Sequence, residues 1–344
     1  MTEYTAPWKL KAAVGIESVY GDAVVVTDLI PLLAHDISYS QDSSVPLYAD
    51  SHGFETEEIR LEKSVSGSFG TYYDYNNSDL LFRALLGGEN AGTTSTYWYP
   101  LLLPAQPPSL TYVISGFRNK VSDRMPLLEY PGLVITGATL TGVAGQPVKI
   151  VWDVTAMSEH DTLTTPYQPP VNTQLSFGQD RAPDFQYPRN TALFREAKNG
   201  ITCAVVGGMS LVFPSISSWT IKIENIYESK SYGADTDEFV IQQPIKIGHT
   251  VTLEFVVPGY NDEPIFDAVY EYYRVQDKVA VSCGMYNGNE SSICGGFWAN
   301  HSKFLRPEII GDIDMKVKLA CFADNPYVDK WDSPMLIATK GGSK

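Results

Sequence analysis

The sequence predicts an all-β protein with a minor helical component. Several segments alternate apolar and polar residues with a period of two, which is typical of half-buried strands. The clearest are Trp219–Glu224, Val251–Phe255 and Ile313–Leu319. The composition agrees, because 27 Gly, 22 Pro and 21 Tyr favour turns and strands over long helices.

Only two short helices are expected. Ser78 is a good N-cap for a helix over Leu80–Leu86, and Gly87 suits the position after its end. Asp262 has the same capping chemistry before Ile265–Tyr273. Both predicted helices are too short to form the core of a helical domain.

The order of these elements indicates an internal repeat. Each half contains an early strand, a long strand pair, a short helix and a closing strand. The corresponding segments are Ile30–Tyr39, Ile59–Tyr75 and Val148–Ala156 in the first half, and Trp219–Tyr227, Phe239–Val257 and Met315–Ala323 in the second. The sequence therefore predicts two domains, residues 1–160 and 196–344, joined by a proline-rich connector over 161–195.

Charge and apolar content exclude several functions. The chain of 344 residues has 25 Lys and Arg against 40 Asp and Glu, a net charge of −15, which argues against tight nucleic-acid binding. No apolar stretch is long enough for a bilayer helix, and the first residues do not resemble a signal peptide. The four Cys form no CxxC pair and are predicted to be free, buried thiols in a reducing compartment.

No motif predicts catalysis. The common hydrolase, nucleotide-binding and zinc-protease patterns are absent, and the five His are scattered. The group Glu159, His160 and Asp161 is interpreted as a solvated turn rather than a metal or acid–base site. Asp235–Glu238 lacks the spacing of a calcium loop. We expect no catalytic residue, no cofactor and no metal.

Clusters of aromatic residues leave one binding function open. Tyr72–Tyr75, Tyr97–Tyr99 and Tyr270–Tyr273 could line a carbohydrate groove, although such residues more often fill a core or an interface. A carbohydrate-binding β-sandwich module, such as that of an adhesin, is therefore the alternative interpretation. A glycosidase would need paired carboxylates in a cleft, and nothing in the sequence indicates them.

Several stretches together resemble one known family. They are Gly15–Asp22, Gly67–Phe69, Asp79–Gly88, Pro108–Val113, Tyr130–Ile135, Gly145–Val148 and Trp219–Asn225. In this order they resemble the major tail tube proteins of long-tailed, non-contractile (siphovirus-like) bacteriophages. Tube subunits of contractile or secretion-type injection devices share that fold and form a second option.

The resemblance implies a β-sandwich with a short flanking helix. Six such domains form a ring around a central β-barrel, and the rings stack into a tube. With two tube domains in one chain, the implied ring is a homotrimer with pseudo-hexameric symmetry. The implied function is that of a structural virion protein, not an enzyme, whose tube is the channel for DNA ejection. An acidic wall would repel the phosphates of passing DNA.

The resemblance also implies which residues line the tube and which contact the next ring. The candidates for the lumen are Glu62, Ser66, Ser68, Thr250, Thr252 and Glu254. Their alternative role as ordinary solvent-facing strand positions stays open. The long stretch Ser40–Thr56 and the shorter Ser229–Asp237 are predicted to be irregular inter-ring loops. Their candidate contact residues are Ser40, Gln41, Asp42, Tyr48, His52, Phe54, Tyr232 and Asp235.

The remaining expectations concern partners and chain ends. The implied partners are further copies of the chain, a tape measure protein, a distal tail or tail-tip protein and a tail terminator. Viral DNA is implied only as a weakly interacting cargo, and no membrane contact is expected. The implied location is the phage tail, after assembly in the host cytoplasm. The arm Met1–Leu10 and the tail Pro326–Lys344 are candidates for segments ordered on assembly.

Overall fold

Long antiparallel strands dominate the computed structural model, which describes residues 11–26, 28–30, 32–44, 59–73, 78–91, 95–101, 103, 105–115, 127–143, 146–161, 201–205, 210–213, 216–228, 231–233, 239–241, 244–257, 263–286, 293–311, 314–323 and 333–340. The prediction of an all-β protein with a minor helical part is confirmed. The described helices are α1 (Asp79–Leu86) and α2 (Glu263–Val275).

The strands of the first half are β1 (Lys11–Ile16), β2 (Asp28–Ile30), β3 (Leu32–Ser44), β4 (Ile59–Tyr72), β5 (Gly87–Ala91), β6 (Ser95–Pro100), β7 (Leu110–Ser115), β8 (Leu127–Val143), β9 (Lys149–Ala156) and β10 (His160–Asp161). Those of the second half are β11 (Ile201–Val205), β12 (Ser210–Phe213), β13 (Ser218–Glu228), β14 (Ser231–Gly233), β15 (Phe239–Ile241), β16 (Ile245–Val257), β17 (Val279–Tyr286), β18 (Ile293–Phe304), β19 (Glu308–Ile310), β20 (Asp314–Cys321) and β21 (Leu336–Lys340).

Two layers of strands enclose the core of the first half. One layer contains β1, β2, β7 and the start of β8, and the other contains β3, β4, β9 and the end of β8. The long strand β8 belongs to both layers, because it pairs first with β7 and then with β9. Between the layers, the ring of Phe69 lies 5.1 Å from that of Tyr112, and His35 stacks on Tyr112 at 5.9 Å.

The second half has a corresponding pair of layers. Strands β11, β12, β17 and the start of β18 form one layer. Strands β13, β16, β20 and β19, with the end of β18, form the other. Phe213 of β12 and Phe255 of β16 make an edge-to-face contact at 4.8 Å between the layers. Aromatic contacts of this kind add to the apolar burial that holds the layers together.

Each helix packs beside the sheet of its own half. In α1, the ring of Phe82 lies 5.3 Å from Trp152 of β9, and in α2 the ring of Tyr272 lies 5.9 Å from Phe304 of β18. Gly87 follows α1 with a φ of 82°, as expected of a helix-ending glycine. Ser78 does precede α1, but its side chain makes no capping hydrogen bond.

Pairing across the middle of the chain joins the two halves. The end of β8, from Gly137 to Val143, pairs antiparallel with β13 from Ser218 to Glu224. The last strand, β21, lies between β6 of the first half and β18 of the second. The described strands, apart from the hairpin β14–β15, therefore form one connected network of 19 strands.

Several local predictions were wrong. Residues 40–44, expected in an irregular loop, continue β3 and pair with β4. The first predicted long strand pair is one long strand, β4, which forms a hairpin with the earlier strand β3. The second contains two strands, β15 and β16, which pair with β14 and β13 rather than with each other. Part of the tail expected to order on assembly forms β21 within the single chain. The predicted connector lies outside the described residues from 162 onward.

Candidate functional site

One sheet with a polar outer face runs through both halves. Its strands follow the pairing order β3, β4, β9, β8, β13, β16 and β20. One face of this sheet carries the buried side chains, because residues alternate between the faces along each strand. The other face is the polar face, and its residues are exposed or half-buried.

Five candidates for the lumen lie on the polar face. Ser66 and Ser68 belong to β4, while Thr250, Thr252 and Glu254 belong to β16. Paired residues place the two groups on the same side of the sheet, through the path from Ser68 to Asp153, Gly137, Glu224 and finally Thr250. The sixth candidate, Glu62, lies in β4, but its side chain is outside the described residues. The role of all six stays a prediction.

The polar face carries ion pairs between lysines and glutamates. Glu254 lies between two lysines, 2.6 Å from Lys316 Nζ and 2.8 Å from Lys318 Nζ. Burial would raise the pKa of Glu254, but hydrogen bonds from both lysines hold it below its usual value. Lys222 and Glu224 form another pair at 2.7 Å. Among the described residues, the face is therefore mixed in charge rather than uniformly acidic.

The polar face also brings charged groups from the two halves together. Burial raises the pKa of Asp153 in β9, Lys222 of β13 opposes the rise, and Glu224 adds to it. This electrostatic contact crosses the junction of β8 with β13. Four charged residues of this face were not among the predicted site residues: Asp153, Lys222, Lys316 and Lys318. Their alternation with apolar residues along β9, β13 and β20 is the signal that could have placed them on the exposed face of the sheet.

The inter-ring candidates fall in two places. Ser40, Gln41 and Asp42 lie in the strand β3, and Ser40 Oγ is 2.7 Å from Ser64 Oγ of β4. Tyr232 lies in β14, although its side chain is outside the described residues. The candidates Tyr48, His52, Phe54 and Asp235 lie outside the described residues entirely. Contact of any of these residues with a neighbouring ring stays a prediction.

A buried carboxylate supports the first half from the other layer. Glu17 is 5% exposed and follows β1. Its Oε2 accepts hydrogen bonds from Ser109 Oγ at 2.7 Å and from Gly21 N–H at 3.0 Å. Its Oε1 accepts from Thr111 Oγ1 and Gly132 N–H, both at 2.8 Å. Four donors satisfy the carboxylate, which makes its burial tolerable.

This cluster explains why three separate stretches of the sequence occur together. The first stretch, Gly15–Asp22, contains Glu17 itself and the Gly21 amide that binds it. The second, Pro108–Val113, supplies the hydroxyls of Ser109 and Thr111, and the third, Tyr130–Ile135, supplies the Gly132 amide. Gly132 has a φ of 65°, and a Cβ there would lie 2.7 Å from Met157 Cβ, so glycine is required. The cluster is a structural anchor that holds β1, β7 and β8 in place.

The aromatic clusters contribute to the fold more than to a groove. Tyr73 and Trp98 are buried, and Tyr97 contacts the ring of Trp298 at 6.3 Å. On α2, Tyr272 packs on Phe304, whereas Tyr270 is 43% exposed. No continuous row of exposed aromatic rings is therefore present among these described residues.

Two further predictions concern small groups of residues. His160 and Asp161, expected in a turn, form the short strand β10 beside β8, and His160 Nε2 is 3.1 Å from Ser158 Oγ. Cys283 and Cys321 are buried thiols, as predicted, whereas the side chains of Cys203 and Cys294 lie outside the described residues. Within the described part of the chain, neither helix has the length and hydropathy needed to span a membrane.

Part of the chain matches a family of known proteins. A family model described as phage tail tube protein matches residues 9–191, which is more than half of the chain. A search of the curated proteins found no match. The matched region includes all the strands from β1 to β10, the Glu17 cluster and the first part of the polar face.

Proposed function

The chain belongs to the phage tail tube protein family, so it is a structural component of the phage tail, and we propose that it polymerises as stacked rings around the DNA-ejection channel. In this proposal the phage is siphovirus-like, and three chains form each pseudo-hexameric ring. Each chain contributes two tube domains, residues 1–160 and 196–344. The continuous sheet with its repeated strand order carries the proposal.

The pairing order of the two halves supports the repeat. Strands β3, β4 and β9 follow one another in the first half, as β13, β16 and β20 do in the second. In the opposite layers, β1 pairs with β2 and β7, while β11 pairs with β12 and β17. The family match ends at residue 191, so the second domain is assigned from this order and not from the match.

Register irregularities support the same correspondence. The β3–β4 hairpin has shifts between Leu32 and Ala34 and between Gln41 and Ser43, and the β13–β16 hairpin has one between Ile226 and Tyr227. Ile37 lies six residues before Ser43, and Ile221 lies six residues before Tyr227, so the two isoleucines occupy the same place relative to the residue that follows the shift. Bulges bend strands at defined places, so their coincidence favours two copies of one domain.

The continuity of the polar face and the pairing of its charges support its assignment to the lumen of the tube. It is continuous from β3 to β20, as the wall of a channel requires. Lys222, Lys316 and Lys318 each pair with a glutamate, so these three lysines offer no uninterrupted track of cations to DNA phosphates. In the proposal this balanced charge replaces the uniformly acidic wall expected from the net charge.

The proposal extends to location and partners. We place assembly in the host cytoplasm, which is a reducing compartment and suits the buried thiols of Cys283 and Cys321. The proposed partners are further copies of the chain, a tape measure protein, a distal tail or tail-tip protein and a tail terminator. DNA passes through the tube as a weakly bound cargo.

Negative-stain electron microscopy of the concentrated protein tests this function. We expect hollow rings or tubes, with end-on views that show three chains in six similar domains. The sample is imaged alone and after addition of a tail-tip complex, because tube growth can need an initiator. Rings of six chains would contradict the two-domain stoichiometry, and single particles under both conditions would contradict the tube function.

A further inference from the structure

The junction between the two halves is a template for a contact between chains. At this junction, β8 and β13 pair antiparallel from Gly137–Glu224 to Val143–Ser218. The pair Leu140–Ile221 lies in its middle, and both side chains are 0% exposed. An edge of the first half and an edge of the second are thus already shown to be complementary.

The sheet ends in two strands that correspond to the two strands of this junction: β3 corresponds to β13, and β19 corresponds to the end of β8. Strand β3, which holds the place of β13, has β4 as its one strand neighbour within the described residues. Strand β19, which continues the path of β18 alongside β20, has β20 as its one strand neighbour there. Together β18 and β19 hold the place of β8, which pairs with β7 and then with β9.

The edge at β19 is apolar, and no described strand covers it. Ile309 is 54% exposed and Ile310 is 43% exposed, whereas Leu140 in the corresponding strand is fully buried by β13. Exposed edge strands with apolar side chains pair readily with another chain. The described strand β3 offers Ile37 at the place that Ile221 holds in the template.

We propose that β19 of one chain pairs antiparallel with β3 of a second copy, with Glu308 opposite Ser38, Ile309 opposite Ile37 and Ile310 opposite Asp36. This inference rests on the proposed function and specifies its contact within the ring. The contact joins different surfaces of the two copies, so it repeats around a ring until the ring closes.

The register follows from chains of paired residues. In the first half, Gly70 pairs with Val151, which pairs with Thr139, which pairs with Lys222 of β13. In the second half, Val256 pairs with Lys316, which pairs with Glu308. Gly70 lies ten residues after Arg60, and Val256 lies ten residues after Lys246; Arg60 and Lys246 each form the first pair beyond the register shift of their hairpin. Gly70 and Val256 therefore correspond, and Glu308 holds the place of Thr139.

The partner of Glu308 follows from the same comparison. Lys222 pairs with Thr252 in the second hairpin and lies five residues before Tyr227, which follows the register shift. Ser38 pairs with Ser66 in the first hairpin and lies five residues before Ser43, which follows the shift there. Ser38 therefore holds the place of Lys222. One step further along, Ile309 and Ile37 meet as Leu140 and Ile221 do, so the apolar pair of the template is reproduced between chains.

Cysteine cross-linking of the full chain tests this register. Ser38→Cys with Glu308→Cys is the in-register pair, and Asp36→Cys with Glu308→Cys is its off-register control. Thr139→Cys with Lys222→Cys is the positive control, because these residues pair within one chain. The chain with only its native cysteines gives the background. After mild oxidation, mass on a non-reducing gel separates links between chains from links within a chain.

We expect the in-register pair to give dimers and trimers that a reductant separates, and we expect the off-register pair to give none. The positive control should form its link without a gain in mass. Tubes without the in-register link, or a preferred off-register link, would overturn the inference and leave the tube function standing. Cross-linked oligomers without rings or tubes would support the strand contact and contradict the tube function. Absence of both would overturn both.

Discussion

The side-chain amide of Asn225 donates a hydrogen bond to the main-chain carbonyl of Leu85 at 2.8 Å. Leu85 lies in the last turn of α1, where carbonyl groups have no partner within the helix. The same Nδ2 also donates to the carbonyl of Ile135 in β8 at 3.4 Å. One side chain of the second half thus satisfies both a helix end and a strand of the first.

Removing this amide should loosen the junction. We expect Asn225→Leu to lower the free energy of unfolding by about 1–3 kcal/mol, because it leaves the Leu85 carbonyl buried without that donor. Urea unfolding followed by tryptophan fluorescence measures the change. Thr220→Val, on the polar face of the same strand, is the matched control and should shift stability by less than about 0.5 kcal/mol. Equal effects of the two substitutions would contradict a specific role for Asn225.

The stability of the Glu17 cluster should depend on both oxygens of the carboxylate. Glu17→Gln replaces an acceptor oxygen with an NH₂ group that faces donors, so we expect a loss of about 2–3 kcal/mol in unfolding free energy. Hydrogen exchange at Gly21 and Gly132 should speed up, since both amides donate to the carboxylate. Glu89→Gln on the exposed strand β5 is the control. Unchanged exchange at both glycines would exclude the anchoring role.

Two half-buried histidines predict how stability depends on pH. Burial lowers the pKa of His35 to about 4, with Asp36 opposing the shift, and burial next to Lys246 lowers the pKa of His249 to about 4. The unfolded chain takes up these protons near pH 6.5 and the folded chain near pH 4. Their contribution to stability is therefore complete above pH 6.5 and is lost as the pH falls towards 4.

Substitution of both histidines tests this pH dependence. Each should account for about 2 kcal/mol of the loss between pH 7 and pH 4.5, after allowance for partial exposure. We expect the double variant His35→Gln, His249→Gln to have a flatter curve of unfolding free energy over this range. A curve as steep as that of the parent chain would assign the acid sensitivity to carboxylates instead.

The ion pairs of the polar face predict how the tube treats DNA. Glu254→Gln leaves Lys316 and Lys318 without the acid that binds both, so assembled tubes should retain short duplex DNA more strongly at low salt. Stability should change by less than about 1 kcal/mol, because the pairs are partly exposed. Co-sedimentation at two salt concentrations measures the binding, with Lys222→Gln as the control of opposite sign. Unchanged binding would argue that the face does not line the DNA path.

Strands with one buried face could be predicted from the sequence, and strands buried on both faces could not. Strands β13 and β20 alternate strictly, and both were found close to their true limits. In β8, by contrast, residues 129–135 are all buried, because this part of the strand serves both layers. Without alternation, a buried strand has no periodic signal that separates it from other apolar segments.

The candidate site shows the same division. Alternation placed Ser66, Ser68 and Thr252 on one face of their strands, and they do lie on the polar face. The pairing of β8 with β13 joins residues about 80 positions apart, and no local pattern encodes such a contact. The loop expected from Ser40 was misjudged because serines and Asp42 favour turns, whereas long-range pairing with β4 keeps this segment extended.

The position of β21 sets an order of events in folding. This strand follows the other described strands in sequence, and it pairs with β6 of the first half and with β18 of the second. Synthesis starts at the N-terminus, so β6 lacks this neighbour until β21 itself has been made. Because contacts between segments distant in sequence form slowly, we expect the strands within each half to pair before the seam at β21 closes. Until then, one side of β6 lacks the strand neighbour that covers it in the folded subunit.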